Sequence, residues 1–226
     1  NADFPQFVTN NAQPDVGVDA KFVISDSFAL DVAINPDFSQ VESDSPQVTV
    51  NRRFEVYFPE RRPFFLENND FFQTPVNLFF SRRIADPQFG LRLTGKKGPY
   101  AIGALAVDDQ SPGNSVSPGE LLHGKRAKFG VLRVNRDIFR DSTVGVLLTD
   151  RELMGSHNRV GSVDTHLRLD SNTNLNMQAV TTSTQHQNGT TEDGPAYYFE
   201  LERTGRQFTY GFEYKDISSG FNSTPG

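Results

Sequence analysis

Apolar and polar residues alternate with a period of two along most of this chain. Val16, Val18, Ala20, Phe22 and Ile24 share one face against Gly17, Asp19 and Lys21, and Phe28, Leu30, Val32 and Ile34 repeat the pattern against Asp31 and Asn35. Further runs are Phe89/Leu91/Leu93, Val144/Val146/Leu148, Val163/Thr165/Leu167/Leu169 and Leu175/Met177/Ala179. Tyr197/Phe199/Leu201 and Phe208/Tyr210/Phe212/Tyr214 complete the series. Successive side chains of an extended chain point to opposite sides, so each run predicts a strand with one apolar and one polar face. No stretch carries a comparable 3.6-residue period, and little helix is expected.

The predicted connections are of two kinds. Ser25-Asp26-Ser27, Gly95 to Pro99, Asp170 to Thr173, and Thr204-Gly205-Arg206 have the Gly, Asn, Asp and Ser content of tight hairpin turns. Longer polar stretches run from Asp108 to Lys125, Arg151 to Ser162, and Gln185 to Pro195. Short turns at one end of the strands and long loops at the other suit an outer-membrane barrel, although a soluble sandwich or barrel can be read the same way. One segment breaks the rhythm: Phe58 to Phe72 is dense in Phe, Pro and charge, and it continues through Pro75 to Phe80-Ser81-Arg82-Arg83. Prolines and clustered charges argue against a central strand. The segment is expected to be a folded-in loop packed by its phenylalanines and pinned by Arg–carboxylate pairs.

Two strand positions conflict with a simple apolar face. Alternation from Val48 to Phe58 puts Arg52 on the apolar side, and Arg133 stands in the same register as Phe129 and Val131. A lipid-facing Arg at mid-depth costs about 2–4 kcal/mol, so each is expected at a rim or beside a bulge.

Composition narrows the classes. The chain has 226 residues, no Cys, and 22 basic against 28 acidic residues, a net charge of −6. That balance gives no nucleic-acid footprint, and the missing thiols exclude a disulfide framework and thiolate metal sites. Mean hydropathy is −0.50, and no apolar run reaches the length of a membrane helix. A membrane β-barrel stays open, because alternation keeps its hydropathy low. The chain starts without Met or a signal peptide and ends in loop-like residues, so residues 1–226 are read as the N-terminal part of a β-barrel domain, with a preceding domain and later strands absent.

Several motifs resemble one family. They are Asn35-Pro36-Asp37-Phe38-Ser39-Gln40-Val41-Glu42-Ser43-Asp44, Asn51-Arg52-Arg53-Phe54, and Phe58-Pro59-Glu60-Arg61-Arg62-Pro63-Phe64-Phe65-Leu66-Glu67. Phe80-Ser81-Arg82-Arg83-Ile84, Leu93-Thr94-Gly95-Lys96 and Ile102-Gly103-Ala104-Leu105 continue the likeness. Together they resemble the uncharacterised barrel domain that follows a carbohydrate-binding family-nine-like domain in Gram-negative bacterial proteins. The resemblance is dense over residues 15–107. It implies an all-β fold: antiparallel up-and-down strands forming part of a membrane β-barrel in the outer membrane of a Gram-negative bacterium. Outer-membrane lipid would be its partner, with carbohydrate reached through the preceding domain, and no activity is implied. The absence of Trp departs from the usual aromatic girdle, a role left to Phe and Tyr.

The candidate chemistry is mostly charge. Arg52, Arg53, Glu60, Arg61, Arg62, Glu67, Arg82 and Arg83 form a cluster read as structural or lumenal. Adjacent arginines lower a carboxylate pKa, which argues against a general acid and for a charge lattice; a lumenal Arg cluster would select anionic solutes. Asp37, Glu42 and Asp44 are loop acids, either capping N–H groups and pairing with Arg or holding calcium or a sugar. Gly90 to Lys97 nearly matches a phosphate-binding loop but has Lys97 where Ser or Thr should bind magnesium, and no helix follows. The four histidines lack metal-ligand spacing, and no nucleophile elbow is present. No catalytic residue, metal or cofactor is therefore assigned, which points away from an enzyme. Two readings remain: an outer-membrane barrel acting as pore, transporter or surface platform linked to carbohydrate use, or a soluble β-sandwich or jelly roll that binds or hydrolyses polysaccharide.

Overall fold

The computed structural model describes residues 16–36 and 60–223. Ten strands form one antiparallel sheet: β1 (Val18–Ser25), β2 (Phe28–Ile34), β3 (Pro87–Lys97), β4 (Tyr100–Asp109), β5 (Ala127–Ile138), β6 (Ser142–Leu153), β7 (Ser156–Asp170), β8 (Thr173–Gln185), β9 (Thr191–Thr204) and β10 (Thr209–Ile217). Each strand pairs only with its neighbours in the chain, and among the described residues β1 and β10 are not paired to each other. This is the all-β, up-and-down arrangement that the alternation predicts. Helix is confined to single turns such as Pro63–Leu66, where Pro63 at the first helical position suits a turn that needs no N–H there.

The connections are less regular than their composition implies. All five at one end are short, the four expected ones and residues 139–141 between β5 and β6. At the other end, residues 35–86 and 110–126 are long, but the stretch from Arg151 to Ser162 is not a loop: β6 and β7 run through it and meet at Met154 and Gly155. Both turn residues have positive φ, 50° and 80°, which matches the twist of the flanking strands. A Met in the first turn position conceals this hairpin from composition. Likewise, the stretch from Gln185 to Pro195 contracts to residues 186–190, because its polar residues extend β8 and β9.

The sheet has two unlike faces. On one, apolar side chains from every strand stand open: Phe22 is 55% exposed, Leu148 49%, Val163 53% and Phe212 56%, with Leu30, Leu91, Ile102, Leu132, Met177 and Phe199 in the same layer. On the other, polar groups are buried across β2–β8, including Asp31, Arg92, Thr94, Arg133, Ser162, Asp164 and Gln178. Strand register aligns these sets, since Lys21 faces Asp31, Asp31 faces Arg92, and Gly145 faces both Asn135 and Asp164. The Arg133 conflict is resolved here by neither a rim nor a bulge. Phe129, Val131 and Arg133 all point to the covered face, whereas Leu132 points to the open one. Arg52 lies outside the described residues.

The covered face is covered by the Phe-rich segment. Phe64, Phe65, Phe72, Leu78, Phe79 and Ile84 are buried together with Leu105, Val107, Phe129, Val131 and Leu147 from the strands. Each such side chain contributes about 2 kcal/mol by leaving water. Close approach depends on small wall residues: a Cβ at Gly90 would lie 2.8 Å from Phe64 Cζ, and one at Gly103 3.0 Å from Phe72 Cε1.

Candidate functional site

The buried charges on the covered face, and the segment resting on them, form the candidate site. Its first part is the neck of the segment. Glu60 accepts hydrogen bonds from the Arg62 side chain at 2.9 Å (Nε to Oε1) and 2.8 Å (Nη2 to Oε2), and from Ser81 Oγ at 2.6 Å. Arg62 also donates to the carbonyls of Ser81, at 2.8 Å, and Ile84, while its guanidinium stacks 4.3 Å from the Phe65 ring centroid. One buried guanidinium thus joins both ends of the segment. Burial opposes the charged form of Glu60, but the hydrogen bonds and charge of Arg62, with Ser81, hold its carboxyl below the ordinary value. A carboxyl so held is ionised at neutral pH and unsuited to donate a proton.

The second part is a clamp on β1–β3. Asp31 and Arg92 form an ion pair, with Nη2 to Oδ2 at 2.8 Å and Nε to Oδ2 at 3.1 Å. The other terminal nitrogen of Arg92 donates to the carbonyls of Phe64 and, at 2.5 Å, Glu67. Lys21 Nζ lies 2.6 Å from Glu67 Oε2 and 3.8 Å from Asp31 Oδ1. The hydrogen bond from Lys21, aided by the charges of Lys21 and Arg92 against partial burial, lowers the Glu67 pKa. Asn68 adds a hydrogen bond to Thr94 Oγ1 at 3.1 Å.

The third part lies across the wall. Arg133 on β5 reaches over β6 to Asp164 on β7, contacting both carboxylate oxygens, one at 2.7 Å. The intervening residue is Gly145, where a Cβ would stand 2.6 Å from the Arg133 guanidinium nitrogens. On β8, Gln178 accepts from Val76 N–H at 2.6 Å and donates to Ser162 Oγ at 2.9 Å, with a longer contact of 3.4 Å to the Val76 carbonyl. Toward the short-turn end, His166, Asn176 and Glu200 line up across β7–β9, with Asn176 2.7 Å from His166 Nδ1 and donating to Glu200 at 2.9 Å.

The expected cluster is therefore distributed. Glu60 and Arg62 are brought together at the neck, and Glu67 joins Lys21 and Arg92 instead of that pair. Arg61 is exposed, while Arg82 and Arg83 are half-buried at the second end of the segment. Arg52, Arg53, Asp37, Glu42 and Asp44 lie outside the described residues. Sequence reading left Lys21, Asp31, Arg92, Asp164 and Gln178 out of the site and marked Arg133 only as a misfit on an apolar face. The available signal was their shared parity: all occupy the polar positions of alternating strands or interrupt them at one level, but register between strands is needed to see them as partners. Among the described residues, no group of three or more His, Asp or Glu side chains is placed to hold a metal ion.

Residues 5–94 match the family described as a domain of unknown function (DUF5916). That match includes the neck, Glu67 and Arg92, and its description carries no carbohydrate link. No curated protein matches. Two solved structures are similar over nearly the whole chain at low identity. One is a loop L8 deletion mutant of OmpT, an outer membrane protein of Vibrio cholerae, with 13% identity, 92% of this chain and 85% of that chain covered, and a TM-score of 0.44. The other is in-vitro folded OmpT of Vibrio cholerae in its trimer form, with 13% identity, 91% and 83% coverage, and a TM-score of 0.42.

Proposed function

We propose that this chain forms the wall of an outer-membrane β-barrel whose interior is occupied by the Phe-rich segment. The observation that carries the reading is the uncovered apolar face of the sheet. Its open face is an apolar layer spanning ten strands, while its covered face mixes charged and amide side chains with the apolar ones packed under the segment. In water such a face is a large aggregation-prone surface; in a bilayer it is the lipid contact, and the polar face lines the interior. Strands of 9–15 residues over β3–β10 reach the length needed to cross when tilted. Tyr100, Phe139, Phe208 and Tyr210 are exposed toward the short-turn end, where an interfacial aromatic belt would lie.

The polysaccharide-binding sandwich is less favoured. It requires a second sheet against the apolar layer, and the described strands form a single sheet with that layer uncovered. A role linked to carbohydrate rests on the motif resemblance alone, and anion selection by interior arginines is weakened because Arg62, Arg92 and Arg133 are all occupied by carboxylates.

The test is gel mobility of the full-length protein from the outer-membrane fraction, boiled against unboiled. Recovery in that fraction with a heat-dependent shift is the expected result. A detergent-free monomer with no shift overturns the barrel.

A further inference from the structure

We propose that the covered face carries a binding site for a proton-bearing oxyanion of the hydrogen phosphate kind, built by Arg151 on β6, with Thr149 beside it and Asn158 opposite it on β7. The site does not depend on whether the open face of the sheet meets lipid. Arg151 differs from Arg62, Arg92 and Arg133, each of which meets a carboxylate. Among the described residues its side chain has no ion pair or hydrogen bond. Its Nε is buried without a partner, and its guanidinium lies 5.5 Å from the Phe129 ring centroid. Two charges act on it, those of Asp109 and Arg83. Asp109 spends its oxygens on the backbone N–H groups of Ala85, Asp86 and Ser111. Arg83, brought in by the covering segment, adds a second positive charge. The balance around Arg151 is therefore positive, and a guanidinium stacked on a ring with its donors unspent suits an anion.

Two neighbouring side chains of the same face add polar atoms that want a partner. Thr149 lies two residues along β6 and is 8% exposed, and its hydroxyl is buried without a hydrogen bond. Asn158 is 4% exposed, stands directly across from Arg151 in the β6–β7 register, and its Oδ1 is likewise buried and unbonded. The amide orientation is fixed, because Nδ2 donates to Thr184 Oγ1 at 2.8 Å and to the Asn222 carbonyl at 3.1 Å, and a carbonyl accepts only from the nitrogen end. Oδ1 is thus turned away from β8 as a pure acceptor. Buried polar atoms left unpaired are unfavourable, and a ligand that satisfies this patch removes the penalty.

The pattern of donors and acceptors selects that ligand. Arg151 only donates, Asn158 Oδ1 only accepts, and Thr149 does either. Sulfate serves the arginine but leaves the Asn158 oxygen facing negative charge. Hydrogen phosphate serves all three: its ionised oxygens accept from Arg151 and Thr149, and its remaining P–OH donates to Asn158. A lipid-type phosphodiester has the charge and lacks that proton.

The experiment is isothermal titration of the full-length protein in detergent with inorganic phosphate at neutral pH, against sulfate and dimethyl phosphate. One phosphate per chain is expected, with each of the other anions weaker by about tenfold or more, the effect of one hydrogen bond to a charged group. R151M should weaken phosphate binding by about tenfold to a hundredfold, and N158L should erase the preference for phosphate over sulfate. K128M, an exposed change on the open face, should leave the affinity unchanged. Phosphate should also raise the urea midpoint of the wild type and K128M but not that of R151M, whose own midpoint shows that it is folded. No phosphate binding by the wild type, equal affinity for the three anions, or undiminished affinity in folded R151M overturns the proposal. The preference among anions is read on the wild type alone, so it decides the matter even where a variant fails to fold.

Discussion

Two buried Arg–Asp pairs occupy the same face of this sheet and do different things. Arg92 and Asp31 are direct neighbours on adjacent strands, and Arg92 has a terminal nitrogen left over for the carbonyls of Phe64 and Glu67. Arg133 and Asp164 are separated by a whole strand, meet end-on over Gly145, and the arginine spends both terminal nitrogens on the carboxylate. The first pair carries the covering segment; the second ties three strands together and carries nothing. What decides between them is the residue in between. With no strand to cross, an arginine keeps donors free for a guest, whereas a glycine gap draws it into a closed, bidentate pair.

Substitutions should separate these roles. The largest effect is expected from D164A, which leaves Arg133 buried without its anion and should cost about 3–5 kcal/mol. Its readout is the urea midpoint of the heat-shifted form, with protease sensitivity of residues 60–86 changing only alongside global unfolding. G145V should cost less, about 1–3 kcal/mol, by driving a side chain into Asn135 Oδ1 and the same guanidinium. Combined with D164A it should add less than it does alone, since the part of the clash that falls on the Arg133 pair is already lost, a non-additivity that a double-mutant cycle in urea would measure. R92M is expected to destabilise the sheet while, unlike D164A, exposing residues 60–86 to protease in the otherwise folded protein. Equal protease patterns in R92M and D164A would erase the distinction drawn between the pairs.

Acidification offers a gentler probe. The Glu60 carboxyl is held below its ordinary value, so its contribution is complete above the unfolded pKa of about 4.3 and is lost as pH falls through the folded value. Protease sensitivity of the segment should therefore rise as pH falls below about 4.3, the unfolded value, and E60Q should show the loosened behaviour at neutral pH with a flatter profile. The smallest effect is expected from K21M. Lys21 and Glu67 are both about half exposed, and such a pair contributes about 1 kcal/mol or less.

Much of the fold is legible from the chain because period-two alternation survives in nearly every strand. The alternation also marks the two faces. What it does not assign is which face meets the protein, since Phe129, Val131 and Arg133 are apolar and charged on one side, and only pairing with Asp164 explains the mixture. The hairpin at Met154 and Gly155 was hidden because a thioether in a positive-φ position is not a usual turn residue. For the site, local proximity was enough to connect Glu60 with Arg62, two residues away. It could not connect Glu67 with Lys21, separated by 46 residues, or Val76 with Gln178, separated by 102. Those partners depend on register summed over several hairpins.

The neck has a consequence for how such a chain can vary. Glu60 and Ser81 lie side chain to side chain at 2.6 Å, so residues 63–80 leave and return to nearly the same point. A segment with that geometry can be shortened, lengthened or exchanged without altering the spacing between β2 and β3 or the register of any strand pair. The sheet is then a fixed chassis and the covering segment an interchangeable cartridge, so related chains could keep one sheet while differing in what covers it.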